Sequence, residues 1–170
     1  ASSTGKSTLA KGLAKALGFV HVDSGAMYRG LTLYAQQNGW LINQQLDKAS
    51  LIAHLDDIQL SFKKGALYVN GNDVSAEIRS MKVSDAVSQV AAVSEIRAFL
   101  VAQQRIMGAN QAVVMDGRDI GTVVFPKANL KLFLTADANI RAQRRYDELI
   151  AQNVSTTFED VLTNITQRDH

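Results

Sequence analysis

The chain has no cysteine among its 170 residues, which excludes disulfides, thiol nucleophiles and cysteine-bound metal. It also lacks any stretch approaching the ~18 consecutive apolar residues of a membrane-spanning helix. No signal peptide is visible, so a cytoplasmic protein that does not engage a membrane is expected. A strong charge excess is missing too: 18 Lys and Arg stand against 16 Asp and Glu, for a formal net charge of +2, and they are dispersed along the chain. That balance argues against a nucleic-acid polymer as partner and suits a compact site for small anions. Repeats and low-complexity segments are absent. With 46% hydrophobic residues the chain can bury a core, and its length fits one domain carrying an inserted subdomain.

What is present begins at the first line. Gly5-Lys6-Ser7 supplies the last three positions of the phosphate-binding loop G-x-x-x-x-G-K-[ST], whose opening glycine would fall before Ala1. The chain is accordingly expected to be cut at its start. In such a loop, small residues let backbone N–H groups converge on phosphate oxygens. Ser3, Thr4, Gly5, Lys6, Ser7 and Thr8 form the candidate ATP-binding run. Lys6 suits the β- and γ-phosphates, and the Ser7 hydroxyl suits Mg²⁺. Leu9, Ala10, Leu13, Ala14 and Leu17 follow at helical spacing, so the loop opens a helix whose dipole favours an anion; Gly18 ends it.

Phe19-Val20-His21-Val22 reads as a strand delivering Asp23, Ser24 and Gly25 to its C-terminal end, where open α/β sheets bind ligands. His21, inside the apolar run, reads as a packed or rim histidine. A helix through Met27, Tyr28, Leu31, Tyr34 and Ala35 closes at Gly39, with Met27 and the tyrosines as core or groove wall. A helix over Leu46 to Leu55 precedes alternating runs at Ile58–Phe62, Leu67–Val69 and Asp73–Val74. The turns Lys63-Lys64-Gly65 and Asn70-Gly71 between them make a small antiparallel insert. Helices over Val83–Val93 and Glu95–Met107 follow, with Ser94 as the cap between them. Ala112 to Met115 is a buried-type strand ending in Asp116, the arrangement in which a carboxylate holds Mg²⁺ beside a phosphate loop. Leu130–Leu134 reads as a further strand, Asp137 as a helix cap, and Arg141, Arg144 and Arg145 as a solvated face or as clamps for a transferring phosphate. Ala151 to Thr157 is polar, and a last helix begins near Phe158.

Taken together, Gly5-Lys6-Ser7-Thr8, Asp23-Ser24-Gly25-Ala26-Met27-Tyr28-Arg29, Glu77-Ile78-Arg79, Ser88-Gln89-Val90-Ala91, Arg97 and Asp116-Gly117-Arg118-Asp119-Ile120-Gly121-Thr122-Val123-Val124-Phe125-Pro126 resemble bacterial cytidylate kinases across essentially the whole chain. The resemblance implies an α/β fold: a P-loop NTPase-type parallel sheet flanked by helices, a small antiparallel β insert in the monophosphate-binding region, and a helical lid. It implies one domain over 1–170 cut at both ends, with core 1–40 and 108–170, insert about 41–107 and lid about 146–158. It implies γ-phosphoryl transfer from ATP to CMP or dCMP with Mg²⁺ on the ATP phosphates, by a monomer. Ser24, Arg29 and Arg118, with Asp23 and Arg79, would bind the acceptor phosphate and its neighbourhood. Ser88, Arg97 and Asp119 would read the cytosine edge, Arg144 would contact ATP phosphates, and Arg168 would serve the acceptor sugar and phosphate. Lys6, Asp116, Arg118 and Arg144 form the catalytic set, with Ser7 and Asp116 as the metal ligands.

The chemistry is consistent on its own terms. An acceptor phosphate is already nucleophilic near neutral pH, so in-line positioning and charge neutralisation matter more than a strong base. A uridylate, adenylate or shikimate kinase, or a non-catalytic nucleotide-binding module of a larger polypeptide, remain the alternatives. Because cationic groups sit on separate elements and the polar stretch has few apolar anchors, residues 148–158 are expected to form a mobile lid that closes on ligand.

Overall fold

Two apolar runs separated by 89 residues of chain come together as the parallel pair at the centre of the fold, β1 (Val20–Asp23) and β7 (Val113–Asp116). They run in register from Val20↔Val113 to Asp23↔Asp116, so both end in a carboxylate at the same level. The computed structural model describes residues 4–151 and 153–169, with side chains described to 166. Ser3 lies outside the described residues, as does the side chain of Arg168, whose backbone is helical.

Two compact units divide the chain, Ala10–Lys127 and Ala1–Leu9 with Ala128–His170. In the larger one, α1 (Lys6–Leu17), which starts in the other unit, ends at Gly18, whose φ of +68° only glycine adopts without strain. The chain then enters β1 and turns into α2 (Ser24–Gln37), the helix on which this unit is built. Ala26, Met27, Leu31 and Ala35 form its buried stripe at the spacing read from the sequence, and Met27 and Leu31 have no exposed surface. Burying each of these two large side chains stabilises the fold by about 2–3 kcal/mol.

After α2 comes a two-residue hairpin, β2 (Leu41–Ile42) and β3 (Gln45–Leu46), then α3 (Lys48–Ala53) capped by Asp47. The expected antiparallel insert follows as β4 (Leu60–Lys63), β5 (Ala66–Val69) and β6 (Asn72–Asp73), in that spatial order. Its first turn places Lys64 and Gly65 at φ 50° and 79°, and its second Asn70 and Gly71 at 49° and 81°, the paired left-handed residues of a tight hairpin. The insert lies against α2 at Gly30, where a Cβ would stand 2.8 Å from Leu67 Cδ2 and 3.2 Å from Val69 Cγ2.

Next, α4 (Met81–Ala91) is capped by Ser80, whose Oγ accepts from Val83 N, and α5 (Ser94–Asn110) leads into β7. Ser94 is not the cap expected for it: Val93 holds the cap position without a side-chain bond, and the Ser94 hydroxyl donates to Glu95 Oε2 at 2.8 Å. A one-residue shift in the helix start explains the difference, since Ser94 already has helical geometry.

The smaller unit contains α6 (Ala138–Ala151) and α7 (Phe158–Asp169). Asp137 caps α6 as expected, accepting from Asn139 N at 2.8 Å. Two sequence expectations are corrected here. Leu130–Leu134 is not a strand: no ladder reaches it among the described residues, and Leu130 and Phe133 are 66% and 91% exposed. An apolar alternation becomes a strand only when its backbone groups find a partner. The polar stretch after α6 does have apolar anchors: Val154 and Phe158 pack on a cluster of Ala142, Leu149, Val161 and Ile165, joined by Tyr146. Val154 N also donates to Leu149 O at 2.9 Å.

Candidate functional site

Strand alternation puts His21, Asp23, Val114 and Asp116 on one face of the β1–β7 pair and Val20, Val22, Val113 and Met115 on the other. Two carboxylates therefore stand side by side at the strand ends, an arrangement that repulsion disfavours unless each has a counter-group. Asp23 has two. Its Oδ1 caps α2 by accepting from Ala26 N at 2.9 Å, and its Oδ2 accepts from Arg29 Nη2 at 3.1 Å. Asp116 takes His21: Nε2 lies 2.7 Å from Asp116 Oδ1, with only 6% and 10% of the two side chains exposed. His21 is thus packed, as its sequence context suggests, but against the carboxylate of Asp116. The clue available from sequence was its two-residue offset from Asp23.

Gly117 follows Asp116 and allows the turn to lie directly on α2. A Cβ there would overlap Ser24 Oγ and meet Ile120 Cδ1 at 2.9 Å. Ser24 is buried beneath this turn, while Arg118 reaches the surface. A cavity of about 30 Å³, room for a water or two, opens beside Asp23 and is lined by Lys11, His21, Arg29 and Arg79. Arg29 and Arg79 thus meet Asp23 at one place. Lys11, on the exposed side of α1, was missed, because a lysine at helical spacing carries no signal of what it faces.

Asp119 does not brace its neighbour Arg118. It reaches across to α5, where Arg97 Nη2 lies 3.1 Å from its Oδ2, the pair being 54% and 29% exposed. The backbone after Asp119 forms a π-helical turn, Ile120–Val124, with Phe125 N bonded to Ile120 O at 2.7 Å. Arg105 of α5 holds this turn by donating from Nη2 to Val123 O at 2.7 Å and from Nε to Val124 O at 3.2 Å. Tyr28 stands in the field of this pair. Burial raises its hydroxyl above the usual phenol value, the Asp119 charge adds to the rise, and Arg97 opposes it. Near neutral pH it is therefore a hydrogen-bond donor beside the base-reading candidates, a role its reading as groove wall did not include. Ser88 is exposed on α4.

In the smaller unit, Thr4 is buried, Gly5 has φ +85°, and Leu9 N donates to Gly5 O at 3.0 Å as α1 begins. Lys6 Nζ donates to Thr4 Oγ1 at 3.2 Å, so its ammonium is held beside the loop. Arg144 lies against the same loop, its Nη1 3.9 Å from where a Cβ on Gly5 would stand. The three arginines of α6 have separate fates: Arg144 faces the loop, Arg145 pairs with Glu148 at 3.1 Å, and Arg141 is buried and donates to Ala136 O at 2.9 Å. The Gly5 turn and Arg144 are therefore adjacent.

Among the described residues no group of three His, Cys, Asp or Glu side chains could hold a metal ion. Mg²⁺ held mainly by nucleotide phosphates and water does not require one, and a hydroxyl with a carboxylate supplies the hard oxygen donors it prefers. None of the described helices is long and apolar enough to cross a membrane.

The family model for cytidylate kinase matches residues 1–170. A cytidylate kinase of Flavobacterium psychrophilum is 53% identical over 174 residues, covering 99% of this chain and 77% of the relative. One from Bacteroides fragilis is 50% identical and one from Porphyromonas gingivalis 47% identical, each over 175 residues, 99% of this chain and 76% of the relative. A P-loop with its arginine, a carboxylate-ended parallel pair and a match over the full chain agree, and the chain belongs to the cytidylate kinase family.

Proposed function

We propose that the chain transfers the γ-phosphoryl group of ATP directly to the phosphate of CMP or dCMP. The observation that carries this reading is the family match over residues 1–170. On this reading the P-loop residues Ser3 to Thr8 hold the ATP phosphates, with Lys6 on the β- and γ-phosphates and Arg144 beside the loop. Asp23 holds Arg29 by its ion pair, and Arg29, Arg79, Ser24, Arg118 and Arg168 bind the acceptor. Neutralising charge on the phosphoryl group in flight is their main contribution, because such transfer involves little covalent chemistry for the protein to perform. Ser88, Arg97 and Asp119 read the base. Ser7 and Asp116 would hold Mg²⁺, which when bound supplies charge neutralisation across the ATP phosphates. The enzyme acts as a cytoplasmic monomer, with residues 41–107 as the monophosphate-binding region and about 146–158 as the lid.

The experiment is ADP release with CMP, dCMP and UMP in turn, on the wild type and on Asp119→Ala. Cytosine offers an amino donor where uracil offers an oxygen acceptor, so a carboxylate facing that edge favours cytosine. Losing a charged hydrogen-bond partner costs about 1.5–3 kcal/mol, a fall of roughly 10–150-fold in the CMP-over-UMP preference. Equal losses for CMP and UMP would remove Asp119 from base reading, and no CMP-dependent ADP release in the wild type would overturn the reading as a whole.

A further inference from the structure

The imidazole of His21 is a buried polar group, 7% exposed, between two valines of a strand that ends in Asp23. Its Nε2 meets Asp116 Oδ1 at 2.7 Å, and its Nδ1 is buried with no hydrogen-bond partner among the described residues. A carboxylate oxygen can only accept here, so the Nε2–H of His21 is the donor of the pair. A ring buried only to stabilise a sheet would do better as valine or leucine, which have no nitrogen to leave unsatisfied. The arrangement gives up stability at one nitrogen while it fixes a carboxylate with the other.

We propose that His21 is a positioning residue for Asp116: its Nε2–H fixes the rotation of the carboxylate and so orients it for the phosphate-bound cation. The inference rests on the reading of Asp116 as that cation's carboxylate. Three features support it. Register places His21 and Asp116 diagonally on one face, within reach of each other without strain. Burial of both side chains shields the bond from competing water. The neighbouring carboxylate, Asp23, is engaged by Arg29 and by the Ala26 N–H, so the Nε2–H of His21 goes to Asp116 and is not shared between the two carboxylates. His21 also lines the cavity that holds Arg29 and Arg79, so the same ring borders the acceptor side and grips the cation side.

The test uses the full chain with Mn²⁺ as the spectroscopic probe and a non-hydrolysable ATP analogue. Mn²⁺ binding to the analogue complex is measured by electron paramagnetic resonance, alongside kcat, the KM for CMP and the urea midpoint. Removing the group that orients a ligating carboxylate typically costs 10–100-fold in metal affinity or activity. His21→Leu is expected to weaken Mn²⁺ binding and lower kcat by that order while the KM for CMP changes little. His21→Gln, which keeps an N–H at the same reach, is expected to recover most of both. Should His21→Leu not fold, His21→Met is read in its place as an unbranched apolar variant. Equal losses in the Leu and Gln variants, tracking their urea midpoints, would show a structural role and overturn the proposal, as would wild-type Mn²⁺ binding in the Leu variant. Asp116→Asn separates the two levels. If it binds Mn²⁺ like wild type, the reading of Asp116 falls and the role of His21 with it; if it binds weakly while His21→Leu does not, only the role of His21 falls.

Discussion

Gly30 is where α2, the helix that carries Ser24 and Arg29, meets the β insert, and Gly30→Ala sets two effects of opposite sign against each other. In a helix interior alanine is favoured over glycine by about 0.8–1 kcal/mol. Against this, the new methyl would stand 2.8 Å from Leu67 Cδ2 and 3.2 Å from Val69 Cγ2, well inside the ~3.5–4.0 Å of an ordinary carbon contact. Leu67 is only 1% exposed and cannot swing out to solvent. Relief must come from an off-rotamer leucine or a shifted helix, and such overpacking typically costs about 1–3 kcal/mol. The clash is expected to win, lowering stability by about 1 kcal/mol net in urea unfolding. Arg29 adjoins the substituted position, so the KM for CMP should rise more than kcat falls. A double-mutant cycle with Leu67→Ala identifies the cause. Leu67→Ala alone should cost about 2–5 kcal/mol, and less in the Gly30→Ala background, where the added methyl partly fills the space that the leucine leaves. A stability gain in Gly30→Ala, or additivity within about 0.5 kcal/mol, would show that the contact between α2 and β5 is not tight and refute the argument.

Lys6→Ala is expected to abolish phosphoryl transfer with little change in the urea midpoint, because its bond to Thr4 is local to the loop and its charge serves the nucleotide; near-normal turnover would count against the P-loop role. Acid stability is expected to follow the carboxylates that accept local hydrogen bonds. Asp137, Asp47 and Asp73 are held below their ordinary value of 3.8, first of all by hydrogen bonds from Asn139, Ser50 and Ser75 respectively. A depressed folded-state value stabilises the fold above the unfolded-state value, and that stability is lost as pH falls through the folded one. The thermal midpoint should thus be insensitive to these groups near neutrality and fall in the acid range below about pH 4, with a shallower fall in Asp137→Asn; identical acid profiles would exclude Asp137.

Much of this molecule is readable from local signals. The Gly18 and Gly39 stops, the Asn70-Gly71 turn, the Asp137 cap and the apolar stripe of α2 each depend on chemistry within a few residues, and each is found where the sequence places it. What depends on distant partners is not. Leu130–Leu134 has the composition of a strand without a pairing partner among the described residues. The hairpin of β2 and β3 went unread because Asn43 and Gln44 adopt φ of 49° and 61° without the glycine that usually marks such a turn. Around the proposed site the pairings of the side chains were not legible: Asp119 with Arg97 spans 22 positions and His21 with Asp116 spans 95. A single histidine among valines could not disclose which carboxylate the sheet register would bring to it.

The segment Leu130-Lys131-Leu132-Phe133-Leu134 also bears on how the chain behaves in concentrated solution. Leu130, Leu132 and Phe133 are 66%, 57% and 91% exposed, and the backbone between them makes no ladder among the described residues. Exposed leucine and phenylalanine side chains with a single charge among them make an apolar surface on which another copy of the same segment can pack. Lys131 is its only charge and Pro126 and Asp137 flank it, the kinds of residue that keep such stretches from zipping together. Self-association of the chain as it stands is therefore expected to be sensitive to Lys131, and light scattering should show more of it in Lys131→Ala than in the wild type.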